Sequence, residues 1–67
     1  MTTSELRLAS THAHNATHLR RLRAFVDSDR FARIPPEHQQ LILEQLLLME
    51  RLDAVLARRL NLLNIPV

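Results

Sequence analysis

His14 and His18 stand four residues apart, the spacing that places two imidazoles on one face of a helix as potential metal ligands. Zinc requires four protein ligands, or three and a water molecule, and neither a cysteine nor an acidic residue on that face completes the set. The sequence therefore predicts solvated histidines and no metal site, with an ion bridging two copies as the remaining alternative. His12 lies toward the apolar side of the same helix and is expected at the edge of the core.

Catalytic chemistry has little support in this sequence. Ser10 and His14 form an i, i+4 pair on a face expected to be solvated, whereas nucleophilic catalysis needs groups that converge in a water-excluded cleft. The chain contains no glycine, which rules out a glycine-rich phosphate loop. We predict no catalytic residue, no cofactor and no enzymatic activity.

Arginines gather where the chain is expected to turn. In one interpretation they are solvated charges that favour a helix carboxyl end and are partly neutralised by nearby carboxylates. In the other they form, with an exposed Phe31, a recognition surface for an acidic protein or a phosphate-bearing ligand. Arg20 and Arg23 favour recognition, because both fall within the apolar arc of the first helix, where a charge must be paired or reach water. The candidate partner-binding residues are Arg20, Arg23, Arg30, Phe31 and Arg33.

All nine basic residues are arginine, and the net charge is only +2. So small a charge, with only two aromatic residues, argues against direct nucleic-acid binding. Arginine pairs well with carboxylates and is enriched at protein interfaces, so its use favours protein recognition. A polar ridge along the first helix should face water or a ligand; its residues are Arg7, Thr11, His14, His18 and Arg21.

The first helix is predicted at residues 4–26. Thr2 and Glu5 fit a capping box, in which the threonine hydroxyl and the glutamate carboxylate each accept a backbone N–H of the other residue. Apolar residues then recur every three or four positions to about Val26. The polar run that begins at Asp27 favours a turn and ends this helix.

The connection, residues 27–35, leads into a longer second helix at 36–63. Ser28 can cap a short helical turn within the connection, and Pro36 suits the first position of a helix. Two long amphipathic segments without glycine predict an all-α fold. We therefore expect a single domain at residues 1–67, folded as an antiparallel two-helix hairpin.

The second helix is too apolar around its circumference for the surface helix of a monomer, and too interrupted by charge to cross a membrane. One stripe should pack on the first helix: Ile42, Leu46, Met49, Leu52, Leu56, Leu60 and Leu63. A second stripe beside it needs a partner chain, as expected for so small a domain. The candidate dimer interface is Leu41, Leu48, Leu52, Val55 and Leu62. Two hairpins pairing there would form a four-helix bundle.

The segment from Leu22 to Arg59 carries an unusual order of residues, Phe-x-x-Ser-x-x-Phe followed by Gln-Leu-x-x-Met. The matching positions are Leu22, Phe25, Val26, Ser28, Phe31, Gln40, Leu41, Gln45, Leu46, Met49, Leu56 and Arg59. This pattern resembles a family of small phage-encoded two-helix proteins, to which a quorum-sensing anti-activator of Pseudomonas phages belongs. Leu52 departs from the aromatic residue often found at its position.

The resemblance implies a helical homodimer that binds a LuxR-type quorum-sensing transcription activator, with a pilus-assembly ATPase as a second target. The leading hypothesis is therefore a non-enzymatic phage inhibitor that blocks a host regulatory protein. A sponge for a phosphate-bearing immune signalling nucleotide and a small helical DNA-binding dimer are the alternatives. Residues 1–5 lack a basic region followed by an apolar segment, so we expect no secretory signal, no membrane attachment and a location in the host cytoplasm.

Overall fold

The computed structural model describes residues 1–66, which form three helices. Helix α1 spans Thr3–Val26, α2 is the short helix Asp29–Ala32, and α3 spans Pro36–Leu62. Helices α1 and α3 pack side by side in opposite directions and form a rod of 45 × 15 × 15 Å. The all-α prediction is confirmed. Val67, the last residue of the domain predicted at 1–67, lies outside the described residues.

Short polar side chains and a proline determine where the helices begin. The Thr2 hydroxyl accepts the backbone N–H of Glu5 at 3.1 Å, and the Glu5 carboxylate accepts the backbone N–H of Thr2 at 3.4 Å. The expected capping box is therefore present. The Ser28 hydroxyl accepts the N–H of Phe31 at 3.4 Å and caps α2. Helix α3 begins at Pro36, where the missing N–H costs no helical hydrogen bond.

The main core cluster lies at the end of the hairpin that holds the amino terminus of α1 and the carboxyl end of α3. Asn64 adopts a left-handed conformation, with φ at 58°, and so reverses the chain after α3. The N–H of Ile65 then donates to the oxygen of Leu60 at 2.9 Å. This turn folds Ile65 back onto the cluster, in which Leu60 is only 1% exposed. The cluster consists of Leu8, Leu56, Leu60 and Ile65.

The connection between α1 and α3 is held to α3 by one amide side chain. The Nε2 group of Gln39 donates to the backbone oxygen of Ile34 at 2.8 Å and to that of Phe31 at 3.1 Å. These bonds add a side-chain donor to the carbonyl groups at the end of α2 and in the connection, where the Phe31 oxygen also accepts the N–H of Ile34. They fix the position of the connection relative to the first turns of α3.

A set of apolar side chains on one face of α3 remains exposed in the single chain. Leu41, Leu48, Leu52, Val55 and Leu62, the candidate dimer residues, are 44% to 79% exposed. Leu52 and Leu63, assigned from the sequence to the stripe facing α1, are instead 44% and 49% exposed. The correction has a geometric reason: three residues turn a helix by about 300°, which rotates Leu52 about 60° from Met49. Dimerisation through this face stays a prediction.

None of the helices in residues 1–66 combines the length and the apolar character that a membrane-spanning segment needs.

Candidate functional site

A shallow, open groove runs along one side of the hairpin, where α1 and α3 meet. Helix α1 forms one wall and α3 forms the other. From α1 the groove is lined by Ser4, Arg7, Leu8, Thr11, His14, Asn15, His18, Arg21, Leu22 and Phe25. From α3 it is lined by Gln45, Met49, Leu52, Leu56 and Arg59. The polar ridge predicted on the first helix is therefore one edge of this groove.

A hydrogen bond between the two helices lies at the centre of the groove. The Nδ2 group of Asn15 donates to the backbone oxygen of Met49 at 3.0 Å in a half-buried position. An asparagine inside the apolar arc of a helix is costly to bury unless its amide finds a partner. The bond therefore fixes how α1 and α3 are aligned and keeps both walls of the groove in position.

Three arginines give the groove its positive charge, and two histidines add polar groups between them. Arg7 and Arg59 lie toward its terminal end, His14 and His18 line the middle, and Arg21 lies toward the turn. No aspartate or glutamate is found among the described residues that line it. A concave surface lined by charges of one sign raises the local concentration of counter-ions. The groove is thus suited to an anionic ligand.

Two carboxylates of α3 contact basic side chains of α1 outside the groove. Asp53 Oδ1 lies 3.2 Å from His12 Nε2, and Glu50 Oε1 lies 3.4 Å from Arg23 Nη2. The His12 side chain is 19% exposed, which agrees with its expected position at the edge of the core. Because these acidic groups pair elsewhere, they do not neutralise the groove.

The serine–histidine pair considered from the sequence lies at the surface of the hairpin. Ser10 and His14 are both exposed, whereas the proton transfer that activates a serine needs a shielded pair. No group of three or more histidine, cysteine or acidic residues in the described part of the chain is placed to hold a metal ion. His14 and His18 instead line the groove beside Thr11 and Gln45.

The turn end of the hairpin carries the residues predicted from the sequence to bind a partner. Arg23 pairs with Glu50, and Arg20 Nη2 donates to Thr17 Oγ1 at 3.4 Å. Arg30 and Arg33 are exposed. Phe31 is half-buried, which corrects the expectation of an exposed ring.

The position of Phe31 follows from an aromatic contact. Its ring stands edge-on against that of Phe25, with the centroids 6.1 Å apart and the planes at 85°. Phe31 therefore belongs to the packing of the turn. The other predicted partner-binding residues lie in the last two turns of α1, in α2 and at its carboxyl end, and Arg21 lines the turn end of the groove.

Several groove residues escaped prediction. The sequence places Gln45 and Met49 in the pattern from Leu22 to Arg59 and does not indicate a partner for Asn15. The one available signal was Asn15 itself, a polar residue at a position where the α1 pattern calls for an apolar one. A position of that kind often marks a buried hydrogen bond.

The chain is a small helical hairpin whose two long helices border an open groove lined by arginines and histidines. The sequence pattern of the Sequestin family matches residues 5–62, so the chain belongs to the Sequestin family. The name of that family indicates sequestration, which is a binding role and not a catalytic one. No curated protein and no solved structure matches the chain at a significant level.

Proposed function

We propose that this chain is a non-enzymatic, phage-encoded protein that sequesters a component of a host signalling pathway in the cytoplasm of the host cell. Membership of the Sequestin family supports sequestration. A sequestering protein acts by stoichiometric binding, so it needs affinity and no reactive groups. The question is then which ligand the surface suits.

The groove favours a small phosphate-bearing molecule, such as an immune signalling nucleotide. The observation that carries this proposal is the set of basic side chains along a groove whose described lining residues include no carboxylate. Arginine binds phosphate oxygens through two parallel N–H donors, and imidazole supplies a further donor. Arg21 and His18 stand at the same part of the groove and are the first candidates for such contacts.

Apolar surface beside these donors suits the rest of a nucleotide. Leu22, Phe25 and Met49 line the same part of the groove as Arg21. A planar base can lie on such side chains while its phosphates face the cations, and Gln45 offers donors and an acceptor for its edge. The groove thus provides both kinds of contact that a nucleotide requires.

A host regulatory protein is the second candidate ligand. The resemblance to phage anti-activators supports a LuxR-type transcription activator as the target, with a pilus-assembly ATPase as a further one. The exposed side chains of Arg30 and Arg33 favour an acidic protein surface at the turn end. This version places the contact at the end of the rod and leaves the groove free.

Calorimetric titration separates the two versions. Cyclic di-GMP, ADP-ribose and AMP serve as phosphate-bearing probes, and adenosine is the control without phosphate. We expect binding of at least one phosphate-bearing probe and none of adenosine. In parallel, capture of a stoichiometric protein from host lysate that Arg33→Glu abolishes and Arg21→Ala leaves intact would support the protein target.

A further inference from the structure

The terminal end of the groove forms a cavity of its own, with a volume of about 260 Å³. It shares one lining residue, Thr11, with the middle of the groove. The middle and the turn end, by contrast, share His18, Gln45 and Met49. This terminal cavity is lined by Ser4, Arg7, Leu8, Thr11, Leu56 and Arg59. It is thus nearly separate from the part of the groove proposed to hold a nucleotide.

Two arginines line the terminal cavity from opposite walls. Arg7 belongs to α1 and Arg59 to α3. Neither takes part in the two ion pairs found within residues 1–66, both of which lie outside the groove. Like charges on two facing walls repel each other, and an anion placed between them removes that repulsion.

Helix dipoles account for only one of these two cations. Arg59 lies in the last turn of α3, where a positive charge is favoured by the negative end of the helix. Arg7 lies in the second turn of α1, near the positive end of that helix, and gains nothing from its dipole. The nearest carboxylate along the chain, that of Glu5, accepts the N–H of Thr2 in the capping box. A bound anion accounts for both positions.

The terminal cavity suits a compact anion that has several oxygens. Its volume lies below the roughly 300–1,000 Å³ of pockets that hold drug-sized ligands. A guanidinium group binds two oxygens of one anion through parallel N–H donors, so a carboxylate occupies one arginine, whereas a phosphate group has enough oxygens for two. The exposed Ser4 hydroxyl offers a further donor. The Thr11 hydroxyl already donates to the backbone oxygen of Arg7 at 2.8 Å.

We propose that the terminal cavity is a second anion site, in which Arg7 and Arg59 clamp one phosphate group between α1 and α3. Arg7 and Arg21 lie about 21 Å apart along the axis of α1. The phosphates of one small nucleotide bound at Arg21 therefore do not reach this site. The ligand is a free phosphate ion or a phosphate monoester, and it binds independently of the nucleotide proposed for the turn end.

Nuclear magnetic resonance of the isotope-labelled full chain observes each arginine separately. Inorganic phosphate is added at constant ionic strength, and the Nε–Hε resonances are followed. We expect those of Arg7 and Arg59 to shift with one common dissociation constant. Arg58, an exposed neighbour outside the cavity, should not shift, and acetate should give no paired shift. Equal shifts of all arginines would show general counter-ion attraction and overturn the proposal.

Substitutions test whether the two arginines act as one site. Arg7→Gln and Arg59→Gln should each weaken phosphate binding about tenfold, through the loss of charged hydrogen bonds. Circular dichroism should show folded variants, because both side chains are exposed. Arg58→Gln is the matched control and should bind normally. Arg21→Gln should also leave binding in the terminal cavity unchanged. Equal weakening by Arg58→Gln or by Arg21→Gln would contradict a separate site.

A phosphate that bridges two helices should also stabilise the hairpin. Arg7 and Arg59 meet only in the folded chain, so phosphate should raise the melting temperature of the unmodified protein. Arg7→Gln should lose this rise. The same rise in Arg7→Gln would mean that phosphate acts elsewhere, and the proposal would be wrong.

Methyl phosphate, a simple monoester, distinguishes the two sources of the phosphate group. Paired shifts of Arg7 and Arg59 with methyl phosphate would show that the cavity accepts the phosphate of a larger molecule. Paired shifts with inorganic phosphate alone would identify a free ion. Absence of paired shifts with both compounds would overturn the proposal. That result would leave the nucleotide proposal standing, since its test is made at Arg21.

Discussion

The side chain of Asn15 on α1 donates a hydrogen bond to the backbone oxygen of Met49 on α3, at 3.0 Å. Both residues line the groove, so the bond that aligns the two helices also sets the width of the candidate site. Sequence patterns predict that two helices pack, but they do not state how far one slides along the other. In this protein a polar contact in a half-buried position supplies that alignment.

Removing this contact should weaken the hairpin. Asn15→Ala removes the side-chain donor of the half-buried Met49 carbonyl, which keeps its hydrogen bond within α3. We therefore expect a loss of about 0.5–1.5 kcal/mol in the free energy of unfolding. Urea denaturation followed by circular dichroism measures it. Asn61→Ala, at an exposed position on α3, is the control. Equal stability of the two variants would show that the bond does not hold the helices in register.

A charge placed on the exposed apolar face of α3 should dissociate the chain and unfold it together. Val55→Asp or Leu48→Asp would bury an unpaired carboxylate in a desolvated interface, and a chain this small is marginal alone. Sedimentation and circular dichroism at micromolar concentration report both effects. Leu47→Asp, 47% exposed on another face of α3 before the change, should leave assembly nearly intact. Dissociation by all three variants alike would argue for general destabilisation.

Metal should have no part in folding. His14 and His18 line the groove without a third ligand among the described residues. We expect a chelator to leave the melting temperature of the unmodified protein unchanged. The double variant His14→Ala, His18→Ala should fold normally, because both side chains are exposed. A drop of several degrees on adding the chelator would reveal a metal site shared between copies.

The turn end provides a separate prediction for a protein ligand. If a host regulatory protein binds there, Arg30→Glu or Arg33→Glu should weaken the complex by several kcal/mol through lost pairing and new repulsion. Stability should change little, since these side chains are exposed. Surface plasmon resonance against the captured protein measures the change. Normal binding by both variants, with loss of binding by Arg7→Glu or Arg21→Glu, would move the contact to the groove side.

Local features of the fold follow from the sequence, whereas features that depend on the relative rotation of two helices do not. The capping box at Thr2, the cap at Ser28 and the start of α3 at Pro36 each depend on one or two neighbouring side chains. A helical wheel predicts Leu52 against α1, because it does not show how wide the contact with a neighbouring helix is.

The candidate site is likewise predictable from the sequence only in part. The ridge from Arg7 to Arg21 on α1 is visible in the sequence as a polar face. Its opposite wall, with Gln45 and Arg59, is known only once α3 is placed beside it. The sequence predicts an exposed Phe31 and misses its contact with Phe25, because that contact depends on the path of the connection.

The measurement that tests the central claim most directly is titration of the assembled protein with a phosphate-bearing nucleotide. Cyclic di-GMP, ADP-ribose and AMP are titrated into the unmodified chain, into Arg21→Ala and into Arg51→Ala, an exposed arginine outside the groove. We predict that at least one of them binds, and that Arg21→Ala weakens it by about 10- to 100-fold, the value of a charged hydrogen bond. Arg51→Ala should bind normally. Equal binding by all three proteins, or binding of none of these nucleotides, would contradict the account of the groove as a site for phosphate-bearing ligands.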